Sequence, residues 1–155
     1  LAVGRIDIVD RDPAPRRPPR VEQLFPVSPA RALETWAHDR LVAAGGPDRL
    51  VFTIVRARAT DTPLRMEGGT LSRAATDQLS DRYDVAAEVR LDIVDPSGRR
   101  VATASALATR YQTVLQSTPP ERLNDIWYDM TRRLMADLSP ELDRQIQAHF
   151  AAYLR

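Results

Sequence analysis

The chain has 155 residues, 43% hydrophobic and 28% charged, with 22 basic against 21 acidic side chains. This composition fits one globular domain, excludes a wholly disordered chain, and lacks the basic excess of a nucleic-acid binder. With no cysteine and no lysine, the chain has no thiol nucleophile, no cysteine-ligated metal, no P-loop lysine and no Schiff-base lysine, and no apolar run approaches the roughly 18 residues that a membrane span needs.

Val3 to Val9 alternates at its centre, with Ile6 and Ile8 on one side and Asp7 on the other, which predicts a short strand. A Pro-rich surface segment follows over 12–28, and six of the twelve prolines lie between Pro13 and Pro29. Proline removes backbone donors and holds φ, so this stretch is expected as an extended connector or a Pro-rich recognition ligand. Arg16, Arg17 and Arg20 make the one basic cluster here and are candidate contacts for phosphate, an anionic lipid headgroup or an acidic protein patch.

Ser28-Pro29 is a helix start, with a serine cap and then proline at the first helical position. Leu33, Trp36, Ala37, Leu41 and Ala44 follow at helical spacing, and Gly45-Gly46 with Pro47 predict a stop, giving a helix over about 29–44. Leu50 to Val55 reads as a buried strand continuing through Arg56 to Ala59. Arg56 and Arg58 share one side of it and are candidate partner or anion contacts, at the sheet edge or across from Asp84, Glu88 or Asp92. The stretch 61–81 is expected as a loop region in which Leu71 to Leu79 forms a weak helix or an irregular flap.

Arg82 to Val94 carries the clearest pattern. Tyr83, Val85, Ala87, Val89, Leu91 and Ile93 occupy one face; Arg82, Asp84, Glu88, Arg90 and Asp92 occupy the other. Asp95-Pro96-Ser97-Gly98 predicts a turn, and Val101 to Tyr111 returns with Ala102, Ala104, Ala106 and Ala108 on one face. The result is an antiparallel hairpin over about 82–113. Thr118-Pro119-Pro120-Glu121 predicts a capping box, and Leu123, Ile126, Trp127, Met130, Leu134 and Leu138 run on at three and four. Ser139-Pro140 is expected to kink or restart this helix. The elements assemble into a single α+β domain over 1–155. It is a two-layer sandwich of about four mostly antiparallel strands with helices packed on one face.

The chemistry-bearing residues are few. His38 and His149 stand on different predicted helices without a metal-spaced neighbour, and no Gly-x-Ser-x-Gly elbow or phosphate-binding glycine loop occurs. A carboxylate and arginine enzyme would need acids such as Asp84, Glu88 and Asp92 to converge in a pocket. Trp36, Tyr111, Trp127 and Met130 are candidate linings of a cleft between sheet and helices, which would suit a small-molecule or lipid carrier; core packing is the competing account of them.

Taken together, Val21 to Pro29, the helix with Trp36 and Arg40-Leu41, Gly45-Gly46, the strand Leu50–Ala59, the strand Tyr83–Val94 with its Asp-Pro-Ser-Gly turn, and the long helix from Glu121 form a pattern. Over about 2–153 it resembles the small alphaproteobacterial envelope lipoproteins of unassigned role. More distantly it is similar to the auxiliary lipoproteins of envelope ABC transporters and to the lipoprotein of the lipopolysaccharide translocon. The resemblance implies an exported periplasmic or outer-membrane-anchored accessory protein, without cofactor or catalysis, whose partners are envelope proteins, an ABC transporter or an outer-membrane assembly. It also implies a signal sequence and a lipid-modified cysteine upstream of Leu1, giving peripheral membrane attachment. It carries over no set of functional residues.

Overall fold

The computed structural model describes residues 1–13, 15, 17–64 and 79–154. Four strands, β1 (Arg5–Asp10), β2 (Arg49–Pro63), β3 (Leu79–Val94) and β4 (Arg100–Leu115), form one sheet in the order β1-β2-β3-β4. β1 runs parallel to β2, and the two remaining pairings are antiparallel. Two helices, α1 (Pro29–Arg40) and α2 (Pro120–His149), cover one face of this sheet. The expected two-layer α+β sandwich is therefore the fold.

The period-two pattern fixes which side is covered. Leu50, Phe52 and Ile54 of β2, with Tyr83, Val85, Ala87, Val89, Leu91 and Ile93 of β3, all point inward and are buried. Against them lie Leu33 and Trp36 of α1 and Met130, Leu134, Leu138 and Leu142 of α2. α2 lies chiefly over β4, whose inward side chains Ala104 and Ala106 are small enough to let a long helix approach closely. Polar bonds also tie the helical layer together: Trp36 Nε1 donates to Ser139 Oγ at 2.8 Å, Arg40 Nη2 to Asp143 Oδ2 at 2.7 Å, and Thr131 Oγ1 to the Val27 carbonyl at 2.9 Å.

Several local expectations are corrected. α1 stops at Arg40, not near 44, because the N-terminal residues capture the backbone that follows: Ala44 N–H bonds to the Leu1 carbonyl and Gly45 N–H to that of Val3. Gly46 serves this close approach rather than a helix cap, since a side chain at its φ of 140° would be strained and its Cβ would lie 2.8 Å from the Ala2 carbonyl oxygen. α2 is one 30-residue helix that continues through Pro140 without restarting. Its capping box does not form: Pro119 is the cap residue, and the Thr118 hydroxyl donates to the Leu115 carbonyl at 2.7 Å. β2 and β3 run further than expected, to Pro63 and back from Leu79, and the stretch foreseen as a weak helix or flap lies outside the described residues apart from Leu79.

The Pro-rich segment is not a free connector. Beyond β1, the same edge of β2 is taken by Arg20, which bridges to Thr60, while Val21 N–H bonds to the Ala59 carbonyl and Asp61 N–H to that of Pro19. Between these stretches the β2 register shifts at a bulge between Ile54 and Arg56. There a side chain stands in for a strand: Asp12 Oδ2 accepts the Ala57 N–H at 3.0 Å and the Arg58 Nε–H at 2.8 Å. Asp12 Oδ1 accepts from Arg58 Nη2 at 3.2 Å and from Arg20 Nη1 at 3.4 Å, and Arg20 also donates through Nε to buried Glu22.

Burial alone would raise the Asp12 carboxyl. The Arg58 hydrogen bond, the Ala57 N–H and the charges of Arg20 and Arg58 outweigh it and hold the group below the usual carboxylate range. The stability this carboxylate supplies is present above its ordinary range and is lost as pH falls through its lowered folded value. Replacing Asp12 by Ala leaves the Ala57 N–H and the largely buried Arg20 guanidinium short of an acceptor. We expect Asp12→Ala to cost about 3 kcal/mol, read as a shift of the urea midpoint at pH 7; an unchanged midpoint would show that the cluster is not holding the segment.

Candidate functional site

The inner face of the sheet is apolar until the far ends of β2 and β3. There the register sets Asp61 opposite Tyr83 and Pro63 opposite Asp81, which puts two carboxyls on the helix side of the sheet. Tyr83 is buried and meets the Trp127 ring edge-on at 5.6 Å, and Trp127 stacks on Phe25 at 5.5 Å. Ser80 Oγ donates to Asp81 Oδ2 at 2.8 Å. Two buried polar atoms here, Asp61 Oδ1 and Trp127 Nε1, have no hydrogen-bond partner. Burial pushes the Asp61 carboxyl up to about 6, aided by its hydrogen bond to Asp81 and by the charge of that neighbour. Burial and the same two acids push the Tyr83 phenol up to about 12. The arrangement can hold one proton between two carboxyls and release it near neutral pH, beside a phenol that stays protonated.

Among the described residues no helix lies on the outer face of the sheet. Its β3 residues are spent in ion pairs: Arg82 with Asp84 at 3.1 Å, Arg90 with Asp92 at 2.9 Å, and Arg56 of β2 with Glu88 at 3.8 Å. Asp92 is also 3.5 Å from Arg100 and is buried, so it does not face water as its place in the alternation suggests. β4 differs. From Val101 to Leu115 its outward residues are Val101, Thr103, Ser105, Leu107, Thr109, Tyr111, Thr113 and Leu115, with no charge among them. Leu107 is 54% exposed and Tyr111 64%, and Val101 and Leu115 are exposed as well. The Arg82 guanidinium sits 4.0 Å from the Tyr111 ring centroid.

The candidate contacts separate from one another. Arg16 lies outside the described residues, and Arg17 is exposed. Arg20 is largely buried and paired with Glu22 and Asp12, so it is not a surface cation. Arg56 meets Glu88, one of the acids foreseen for it, whereas Arg58 pairs with Asp12 and not with Asp84, Glu88 or Asp92. Of the cleft candidates, Trp127 and Met130 are buried in the core and Tyr111 lies on the outer face, away from the helices. Trp36 packs on Phe52 at 6.1 Å and borders a groove of about 460 Å³ between α1 and α2, on the side away from the sheet. That groove is also lined by Tyr128, Met135 and Arg31. His38 and His149 are exposed, and no cluster of three metal-ligating side chains occurs among the described residues.

The acid pair had a signal in the sequence. Asp81 continues the odd-numbered inward series of Tyr83 and Val85, and Asp61 continues that of Ala57 and Ala59. An acid at an inward position is the informative exception to a period-two pattern.

No family model and no curated protein matches the chain. Among solved structures it is similar to a minor lipoprotein from Acinetobacter baumannii, at 14% identity and a TM-score of 0.42, covering 96% of this chain and 95% of that one. It is also similar to a candidate lipoprotein from Caulobacter crescentus, at 12% identity and a TM-score of 0.30 over 89% of this chain and 90% of that one. A protein from Xanthomonas campestris matches at 13% identity and a TM-score of 0.32, over 94% and 86% respectively.

The raised Asp61 carboxyl has a stability consequence of definite sign. The folded state holds this proton more tightly than the unfolded chain, so the contribution is whole below the ordinary carboxylate range and is lost as pH rises through about 6. Asp61→Asn cannot lose it. We expect the melting temperature of Asp61→Asn to rise relative to wild type between about pH 5 and about pH 7.5, measured by thermal denaturation. Parallel profiles for the two proteins would remove the shared proton.

Proposed function

We propose that this chain is a non-catalytic accessory protein of the bacterial envelope, periplasmic or associated with the outer membrane, that works by docking onto other envelope or transport components. The location is supported by the sequence resemblance, which rests on the order of elements and a few scattered residues. The mode of action is supported by one observation: the outward side of β4 is a long uncharged strip with four large exposed apolar side chains. On the neighbouring β3 the outward Arg82, Asp84, Glu88, Arg90 and Asp92 are charged and paired. Solvent alone gives no reason for this difference between adjacent strands, whereas large apolar side chains exposed along one uncharged strand face suit an interaction site. Among the described residues no strand pairs with its far edge, which suits strand addition.

A second reading has its own observation. The α1–α2 groove has an apolar lining from Trp36, Tyr128 and Met135, and Arg31 beside it has no ion-pair partner among the described residues. A small anionic amphiphile suits that chemistry, with its apolar part on the rings and its charge at Arg31. Such a molecule retained by the purified protein in native mass spectrometry would favour it.

The docking reading is tested by the double variant Leu107→Arg, Tyr111→Arg. Both positions are exposed, so folding stability should change by roughly 0.5 kcal/mol or less per site. In cross-linking and capture from solubilised envelope membranes, the wild-type chain should enrich a defined set of envelope proteins, and the variant should lose that set about tenfold (about 1.4 kcal/mol). Glu34→Arg on exposed α1 serves as the control. The same set captured by all three proteins would remove β4 from the account.

A further inference from the structure

The two sides of the sheet are finished differently. β2 has its outer edge closed along its length by β1, by the Asp12 carboxylate and by residues 19–21. The strand left outside it, β1, is only six residues long. β4 is sixteen residues long, which is about 50 Å at 3.3 Å per residue. Among the described residues no strand pairs with its far side, and of its backbone only the Leu115 carbonyl has an acceptor role there, to Thr118. Few of the usual devices that blunt an edge are present: the register with β3 shifts at Val101, next to the first residue of the strand, the inward Arg110 is drawn to Asp137 on α2 at 2.6 Å, and 100–115 holds no proline.

We propose that this edge pairs with the β4 edge of a second copy of the chain, antiparallel and about a two-fold axis at Leu107, joining two sheets into one of eight strands. The inference goes beyond the docking reading above: it assigns the backbone edge of β4 to a second copy and leaves the outward face of the strand to any envelope partner. Three observations favour a second copy. First, an antiparallel edge is its own complement under a two-fold axis normal to the sheet, which also keeps the helices of both copies on one side.

Second, the flank beside the edge carries both signs. Arg110, Arg122, Arg132 and Arg133 lie there among Asp125, Asp129 and Asp137. Such a flank can meet its own copy with opposite signs facing, and it gives no preference to a strongly charged partner. Third, the register is constrained. An axis at Ser105 would set Arg100 directly against Arg110 of the other copy, whereas an axis at Leu107 sets Arg100 against Val114 and Arg110 against Ala104. It also brings together the two Leu107 side chains, the most exposed aliphatic residues of the strand, and sets Thr103 against Tyr111.

Because the chain contains no cysteine, an introduced one is its only thiol. Single variants Thr103→Cys, Ser105→Cys, Leu107→Cys, Thr109→Cys and Tyr111→Cys, with Glu34→Cys as the remote control, are mildly oxidised in parallel. Residues facing themselves across a two-fold pair have Cβ atoms close enough to bridge. Covalent dimer should form fastest at 107, at least tenfold above the control, and fall away on either side. Wild type should sediment as a dimer at high concentration, and Leu107→Arg, which opposes two like charges on the axis, should shift that equilibrium at least tenfold towards monomer.

Cross-linking at 107 no faster than at 34, or a wild-type chain that stays monomeric, overturns the second-copy pairing. A maximum at another β4 position overturns the axis at Leu107. A monomer that still captures envelope proteins through β4 overturns this inference and leaves the docking reading standing. A dimer that captures none does the reverse.

Discussion

The fold depends on one carboxylate. A bulge in β2 after Ile54 breaks the even spacing of backbone groups along the strand, and no ordinary neighbouring strand can satisfy the Ala57 N–H that it leaves behind. Asp12 reaches in and does so, and in the same position it binds Arg58 and Arg20. A buried anion held by two guanidiniums and a backbone donor is stable only if all of them stay in place. That condition draws the Pro-rich segment down onto β2 and lets residues 19–21 finish the edge. The cost is visible at Glu22, which is buried with one carboxylate oxygen unpartnered while the other binds Arg20.

This closure gives the molecule its polarity. One side of the sheet is sealed by a short parallel strand, a side chain and a folded-back segment; the other ends in β4. The inner side of β4 is pinned by α2, whose packing over Ala104 and Ala106 leaves little freedom to move. A strand packed in this way, with no strand paired to its far side among the described residues, is already ordered in the conformation an incoming strand requires, so pairing there costs little conformational entropy on this side. The uncharged outward residues add apolar area without a desolvated charge. The ion pairs of β3 then form the boundary of the strip, and the Arg82 guanidinium over the Tyr111 ring joins the two strands.

Much of this was legible because β3 and β4 obey a strict period of two, and because Ser28-Pro29 starts α1 with the Ser28 hydroxyl accepting the Arg31 N–H at 3.2 Å. What failed failed through long-range competition. Gly45 and Gly46 carry the local signature of a helix stop, yet α1 has already ended because residues 1–3 bind the backbone after it. Pro140 carries the signature of a break, yet the buried stripe of Leu134, Leu138 and Leu142 holds the helix together across it. Asp12 looked like the first residue of a connector, since nothing local announces that an aspartate will meet a bulge 45 positions away. Arg20, Arg56 and Arg58 were visible as cations, but only the fold decides that each has an acid of its own.

The acid pair belongs to the same logic at the opposite end of the scale of satisfaction. Along most of β2 and β3 the inward positions meet helix side chains, and an apolar residue is the cheapest occupant. At Asp61 and Asp81 the alternation places carboxyls on that side, and what they meet is an aromatic cluster in which Trp127 Nε1 also lacks a partner. Two carboxyls can share that environment only by keeping a proton between them, because one charge is tolerated there and two repel. The same polar groups that Asp12 turns into a fully bonded fastening are here left partly unbonded. Protonation at the ends of β2 and β3 therefore changes the stability of this fold as pH rises through about 6, while the Asp12 fastening yields only in acid.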